Sequence, residues 1–187
     1  MPASVPPQYP DDVVARAVNI RLACFDVDGT LTDGRLIYDS DGRELKAFNA
    51  TDGLGLKLLK DAGVAVAFIT ARRSTVTALR AQELEVTAHT FVHDKLGCLR
   101  TIANAMGITL DQVAFMGDDL PDLAALKAVG LAVAPADAHG WIVPHVHWRT
   151  RADGGRGAAR ELCDLLLIAQ GKASAIIAEA GTRGAQI

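Results

Sequence analysis

The sequence predicts an α/β fold, doubly wound, with a parallel sheet between two layers of helices. Three observations carry that prediction. A mostly apolar run at residues 20–25 and continuous ones at 64–69 and 113–116 have the pattern of strands buried on both faces, which do not alternate polar with apolar. Helical segments separate them, and repeated strand–helix alternation packs helices on both sides of a parallel sheet. Each run also ends in a polar cluster: Asp26-Val27-Asp28-Gly29, Thr70-Ala71-Arg72 and Gly117-Asp118-Asp119. The carboxyl ends of strands are where open α/β sheets hold their ligands.

With 187 residues, the chain is long enough for one domain with a full core and short for two. Half the residues are apolar and 22% are charged, an ordinary globular balance. A net charge of −3 and a pI near 5.9 speak against a nucleic-acid or membrane surface. Cys24, Cys98 and Cys163 are odd in number and scattered, the pattern of reduced thiols rather than of a disulfide or zinc framework. No apolar run approaches the length that spans a bilayer. The first residues lack the charged-then-apolar order of a signal peptide. A cytoplasmic protein is expected.

Residues 1–10 hold four of the seven prolines and are expected to form a loose arm, followed by a helical turn over 11–19. The first strand is 20–25. Beyond its acidic end, residues 35–38 and 44–48 are short β-like runs around Asp39-Ser40-Asp41-Gly42, the signature of a β-hairpin. Residues 54–62 read as a helix capped by Asp52 and stopped by Gly63. The second strand, 64–69, leads to a helix over 74–83 and a strand over 86–92. A helix over 95–106 closes at Gly107, and Asp111 is expected to cap a short turn. After the third strong strand, 113–116, Pro121 opens a helix that ends before Gly130. Residues 131–133 are expected as a short strand. Residues 141–150 should form an edge strand with His145 and His147 alternating along it. Gly154-Gly155-Arg156-Gly157 precedes an amphipathic helix over 158–170. The domain is expected to run from 20 to 172, with a small-residue tail over 173–187.

The first polar cluster concentrates the chemistry. Side chains alternate along an extended chain, so Asp26 and Asp28 point the same way. Neighbouring carboxylates repel, and a fold tolerates the pair for a cation or for acid–base work. An EF-hand loop is excluded, because Gly29 comes too early after Asp26 to make the turn of that loop.

Asp26-Val27-Asp28-Gly29-Thr30-Leu31-Thr32 resembles the first motif of the haloacid dehalogenase (HAD) superfamily. The resemblance implies a three-layer, Rossmann-like HAD core in which Asp26 is the nucleophile that becomes an aspartyl phosphate. Asp28 is then the general acid and base. The resemblance extends to three further motifs in chain order. Thr70 matches the residue that hydrogen-bonds a phosphoryl oxygen, and Lys95 the cation that neutralises phosphate and orients the nucleophile. Asp118-Asp119 matches the acidic pair that holds magnesium. Magnesium is expected on the Asp26 and Asp118 carboxylates and the Asp28 backbone carbonyl, with Asp119 acting through a water or from behind the ligands. Gly29 and Thr30 are expected to offer backbone N–H groups to the phosphoryl oxygens. An acid at position 28 favours hydrolysis over a stored aspartyl phosphate.

Neither interval between the motifs has room for the cap domain that many HAD enzymes insert, so a capless site with a β-hairpin flap at 35–48 is expected. In this the chain resembles the 3-deoxy-D-manno-octulosonate 8-phosphate (KDO 8-phosphate) phosphatases, over residues 20–172. The likeness is strongest in DGRLIYDSDGRELKAFNATDG, GDDLPD, APADAH and GGRGAARELCDLLLIAQGK. It implies magnesium-dependent release of KDO and phosphate, a step in lipopolysaccharide precursor synthesis. It also implies a tetramer whose hairpins cover neighbouring sites. Leu36, Ile37, Tyr38, Leu45 and Phe48 give the hairpin an apolar surface that calls for a partner. Arg72 and Arg80 match arginines of the family pattern, and with Arg156 they are candidates to pair with the sugar carboxylate. The chain departs from the pattern at Thr51, usually Arg, at Ala71, where the family has Gly, and at Asp94, usually Asn. Phosphatases of nine-carbon ulosonate 9-phosphates share the pattern, so that substrate stays open. A phospho-receiver signalling domain uses similar parts, but its acidic pair precedes the phosphorylated Asp and its Lys follows all the acids. Here Asp118 and Asp119 follow Lys95.

Overall fold

The computed structural model describes residues 9–183, so the arm over 1–8 and the last tail residues, 184–187, lie outside the described residues. Six strands form one parallel sheet in the order β5 (Thr87–His89), β4 (Ala65–Ile69), β1 (Leu22–Phe25), β6 (Val113–Met116), β7 (Leu131–Ala134) and β8 (Trp148–Arg149). Leu22 lies beside Ala65 and Val113, and Phe25 beside Phe68 and Met116. The carboxyl ends of β1, β4 and β6 therefore emerge side by side. The other two strands, β2 (Ile37–Tyr38) and β3 (Glu44–Leu45), pair antiparallel as the hairpin. Its turn is held by Asp39, whose Oδ1 accepts from the N–H groups of Asp41 and Arg43 at 2.9 and 2.8 Å.

Alternation along the strands fills two cores, one on each face of the sheet. On one face Ala23, Phe25, Val66, Phe68, Ala114 and Met116 pack with residues of α1 (Asp11–Ala17), α2 (Ala50–Asp61), α3 (Thr75–Leu84) and α6 (Ala158–Ala169). On the other, Leu22, Cys24, Ala67, Ile69, Val113 and Phe115 pack with α4 (Lys95–Ala105) and α5 (Leu123–Leu126). Each large apolar side chain buried in this way contributes about 1.5–3 kcal/mol. The result is the three-layer α/β/α core expected from the sequence, with no cap domain among the described residues.

Local expectations change where a side chain finds a partner outside its own segment. Helix α2 begins at Ala50 rather than at 54, because Asn49 and not Asp52 caps it: the Asn49 Oδ1 accepts from the Thr51 N–H at 2.8 Å. Asp52 is buried and reaches across to α6, where it accepts from the N–H groups of Gly157 (3.3 Å) and Arg160 (2.8 Å). The N-terminus of α6 has only a left-handed Gly157 at its cap position, so a carboxylate from α2 satisfies its open donors. Asp111 lies inside a 3₁₀ turn (Leu110–Gln112) that Thr109 begins. The helix expected at Pro121 is a 3₁₀ turn (Leu120–Asp122) followed by the short α5.

The expected edge strand over 141–150 shrinks to β8. Pro144, which has no N–H for a ladder, sits in a 3₁₀ turn (Val143–His145). His145 and His147 therefore do not alternate on a strand, and His147 Nδ1 instead accepts from the Ala132 N–H at 2.9 Å. The expected tail contains a helix, α7 (Ala173–Arg183), rich in residues that favour helix. Lys172 ties its start to the end of α2, donating to Ala62 O at 2.7 Å. None of the described helices is long and apolar enough to cross a membrane.

The cap that Asp52 lends to α6 yields a stability prediction. Asp52→Ala should cost about 1–2 kcal/mol, a drop of roughly 2–8 °C in Tm for a chain of this size. An unchanged melting curve by circular dichroism would contradict the assigned role.

Candidate active site

The ends of β1, β4 and β6 deliver the polar clusters to one edge. Asp26 follows β1 directly, its N–H donating to Met116 O at 2.9 Å, and Thr70 follows β4, its N–H donating to His89 O at 3.0 Å. Lys95 is the first residue of α4, behind an Asp94 cap that accepts from the Gly97 N–H at 2.9 Å. Together with Asp28, Ala71, Arg72, Asp118, Asp119, Pro121 and Asp122 they line a cleft of about 190 Å³.

The floor of the cleft is charged. Lys95 Nζ lies 2.7 Å from Asp26 Oδ1 and 2.5 Å from Asp122 Oδ1, with all three side chains largely or wholly buried. Carboxylate oxygens of Asp26, Asp118 and Asp122 all lie within 4.8 Å of one another. One lysine does not neutralise three carboxylates. Burial, with Asp122 nearby, pushes Asp26 up to about 6 against the pull of Lys95. Burial, with Asp26 and Asp122 nearby, pushes Asp118 up to about 8. Burial alone would lower the Lys95 ammonium, but Asp26 and Asp122 outweigh it and the pKa is raised. Converging hard oxygen donors with surplus negative charge suit a divalent cation that prefers oxygen, such as magnesium.

Backbone shape makes the convergence possible. Gly29 has φ +94°, and a Cβ there would collide with the Asp118 carboxylate. A Cβ on Gly117 would likewise collide with the Asp122 side chain. The Thr30 hydroxyl donates to Asp118 Oδ1 at 3.0 Å. Asp122 Oδ2 accepts from the N–H groups of Asp118 (3.0 Å) and Asp119 (3.3 Å), which fastens the acidic loop from below. The Asp118 carbonyl accepts from the His139 N–H at 2.8 Å.

Asp26, Asp28, Thr70, Lys95 and Asp118 thus share the cleft. Asp119 lines it too, but its Oδ1 caps the following 3₁₀ turn, accepting from the Leu120 N–H at 2.7 Å. Asp122, which the sequence did not single out, joins Asp26 and Asp118 in the acidic group. The Thr30 N–H faces Val27 O at 3.4 Å, so Thr30 contributes its hydroxyl to Asp118 rather than a free backbone donor. Among the candidate arginines, only Arg72 lines the cleft. Its guanidinium donates to Tyr38 Oη (3.0 Å) and Glu44 Oε1 (3.1 Å). Arg80 pairs with Glu83 at 2.8 Å and lies over the Phe48 ring, away from the acids. Arg156 is exposed, 3.9 Å from Asp33.

The structure adds residues that the sequence reading missed. Asp122 follows Asp118 at a spacing that brings side chains onto one face of a helical turn. Glu44 and Lys46, two apart on an extended strand, share the face toward the cleft. Lys46 Nζ bonds to Asp28 Oδ1 and lies 3.3 Å from Glu44 Oε1.

A family model described as haloacid dehalogenase-like hydrolase matches residues 84–162. The chain is 46% identical to the KDO 8-phosphate phosphatase of Yersinia pestis over 164 residues, 87% of either chain. A crystal structure of a hypothetical protein from Xanthomonas campestris superimposes with a TM-score of 0.92 at 56% identity, covering 96% of this chain and 98% of that one. The KDO 8-phosphate phosphatase of Moraxella catarrhalis, solved with magnesium, phosphate and KDO, gives 0.89 at 39% identity, covering 91% and 99%.

The acidic cluster predicts how pH and metal compete. Asp26 and Asp118 are raised above the unfolded carboxylate value, so the metal-free fold binds protons more tightly than the unfolded chain. The penalty of ionising them is full above about pH 8 and shrinks as pH falls. A divalent cation held by the cluster would relieve that same penalty, so adding magnesium after chelator treatment should raise Tm more at pH 8 than at pH 6. The readout is the increment, which cancels groups away from the site such as His147. An increment equal or larger at pH 6 would contradict the cluster as the metal site.

Proposed function

The chain belongs to the haloacid dehalogenase-like hydrolases, in the branch of the KDO 8-phosphate phosphatases, and on that premise we propose how its cleft hydrolyses KDO 8-phosphate to KDO and phosphate. The observation that carries the proposal is the Asp26 carboxylate on the cleft floor, bonded to Lys95 at 2.7 Å and grouped with Asp118 and Asp122. Asp26 is the nucleophile. Its oxygen forms a bond to phosphorus as the bond from phosphorus to the sugar oxygen breaks, and Asp28 gives that oxygen its proton. In the second half Asp28 takes a proton from water, whose oxygen attacks the aspartyl phosphate and frees Asp26 and phosphate.

Asp26 and Asp118, with the Asp28 backbone carbonyl, are our assigned magnesium ligands, and Asp122 supports them from below. The ion supplies charge neutralisation at the phosphoryl oxygens when bound. Lys95 adds a fixed positive charge, and Thr70 offers its hydroxyl to a phosphoryl oxygen. Arg72, at the mouth of the cleft, is the arginine we assign to the sugar carboxylate. Three free cysteines support a reducing, cytoplasmic setting.

We extend the proposal to a tetramer. The cleft is smaller than the 300–1,000 Å³ typical of small-molecule sites, so it takes the phosphate and leaves the sugar for another surface to enclose. Leu36, Ile37, Tyr38 and Leu45 are each about half exposed on the hairpin, an apolar face suited to a neighbouring subunit.

Asp26→Asn should abolish turnover, and Asp28→Asn should slow KDO 8-phosphate hydrolysis by about 10²–10⁴-fold. Asp28→Asn should spare p-nitrophenyl phosphate more, because that leaving group needs little protonation. Near-normal KDO 8-phosphate turnover by Asp28→Asn would remove the acid–base assignment. Light scattering should give a tetramer mass at micromolar concentration. Ile37→Glu with Leu45→Glu should lower both that mass and sugar-phosphate turnover, and a fully active monomer would refute the assembly.

A further inference from the structure

The hairpin sends two charged side chains inward. On β3, Leu45 faces out, while Glu44 and the next residue of like orientation, Lys46, face the cleft. The Lys46 side chain is only 2% exposed. Its Nζ touches two carboxylates, Asp28 Oδ1 and Glu44 Oε1 (3.3 Å). Burying an ammonium is unfavourable unless it is paired, and here the pairing includes the group assigned as acid and base.

Glu44 is anchored independently of Asp28. It accepts from the Ser74 hydroxyl at 2.6 Å and from Arg72 at 3.1 Å, and Ser74 is also the cap of α3, accepting from the Thr77 N–H at 3.2 Å. The base of the hairpin is therefore fixed to the start of α3 before Lys46 is counted. Lys46 spans from that fixed carboxylate to Asp28. The other groups on Asp28 are looser: the Thr70 hydroxyl stands 3.4 Å from Oδ2, and Arg72 Nε stands 4.0 Å from it. Lys46 is thus the tightest constraint on where the Asp28 carboxylate points.

We propose that Lys46 is a positioning residue, a strut from the hairpin that aims Asp28 first at the leaving oxygen and then at the attacking water. The proposal rests on the acid–base assignment of Asp28. Orientation matters to both steps, since a displacement of about 1 Å in a catalytic group costs about 10²-fold in rate. Lys46 acts through Asp28, so its loss should appear in kcat rather than in substrate affinity. It also makes the hairpin part of the catalytic apparatus of its own chain.

The test uses the full chain with magnesium, KDO 8-phosphate and p-nitrophenyl phosphate. Lys46→Met should lower kcat for KDO 8-phosphate by about tenfold or more, with KM changed less than about threefold. Lys46→Arg, which keeps the cation, should recover most of the loss. In an Asp28→Asn background, Lys46→Met should cause no further drop in p-nitrophenyl phosphate turnover, because the group it aims is gone. If Lys46→Met does not fold, judged by circular dichroism, Lys46→Gln carries the same comparisons.

A kcat within about twofold of the parent would overturn the proposal. So would a raised KM at unchanged kcat, which would make Lys46 a substrate contact. An equal drop in the Asp28→Asn background would show that Lys46 acts without Asp28 and would overturn it too. Asp28→Asn alone separates the two failures. If it is itself near-normal, the acid–base assignment falls together with this proposal. If it is impaired while Lys46→Met is not, only the proposal falls.

Discussion

The site depends on one buried lysine set among three carboxylates. Two unit charges of like sign 4.8 Å apart, the outer bound on the oxygens of Asp26, Asp118 and Asp122, repel by roughly 3–4 kcal/mol at an effective dielectric constant near 20. A domain is stable by only about 5–15 kcal/mol, so three such pairs cannot stand fully ionised without a countercharge. Lys95 supplies one, and protons or a divalent cation supply the rest. Its placement runs against local electrostatics. As the first residue of α4, it sits where the helix dipole favours anions. A cation is held there because Asp26 and Asp122 each bind it directly.

The rest of the fold brings these groups together. Parallel register across β4, β1 and β6 lines up three strand ends, and the two core clusters on either face keep that register fixed. Glycines at 29 and 117 then let backbone approach carboxylate more closely than any side chain would permit. The hairpin adds a second charged layer above the floor, in which Arg72, Glu44, Lys46 and Asp28 alternate in sign. In both layers a buried lysine bridges carboxylates, Lys95 between Asp26 and Asp122 and Lys46 between Asp28 and Glu44, as the low-dielectric interior requires of a buried cation.

Much of this was legible in the sequence because it is local. Apolar runs give strands, a polar residue just past each run lies at the sheet edge, and the order of Asp26, Thr70, Lys95 and Asp118 follows from the chain. What escaped depends on contacts between distant segments. Asp52 looked like the cap of its own helix because caps are usually local, yet Asn49 does that work and Asp52 caps α6, over a hundred residues away. Asp119 adjoins Asp118 and lines the cleft as its position suggests, but Asp122, four residues beyond Asp118, joins the acidic group only because the turn folds it back. Arg80 matched a family pattern, yet its helix α3 carries it to Glu83 and Phe48. Lys46 carried no signal of its own within the expected hairpin, and only the folding of β3 over the cleft gives it a partner in Asp28.

The central claim is that Asp26 carries the phosphoryl group in turnover, and mass spectrometry of the trapped intermediate tests it most directly. The Asp28→Asn protein, which lacks the proposed base for clearing the intermediate, would be mixed with magnesium and p-nitrophenyl phosphate, quenched in acid and digested. The account predicts the mass of one phosphoryl group added to the peptide that contains Asp26, absent when Asp26 is also replaced by Asn. A phosphoryl group found on another residue, or one that persists without Asp26, would contradict it.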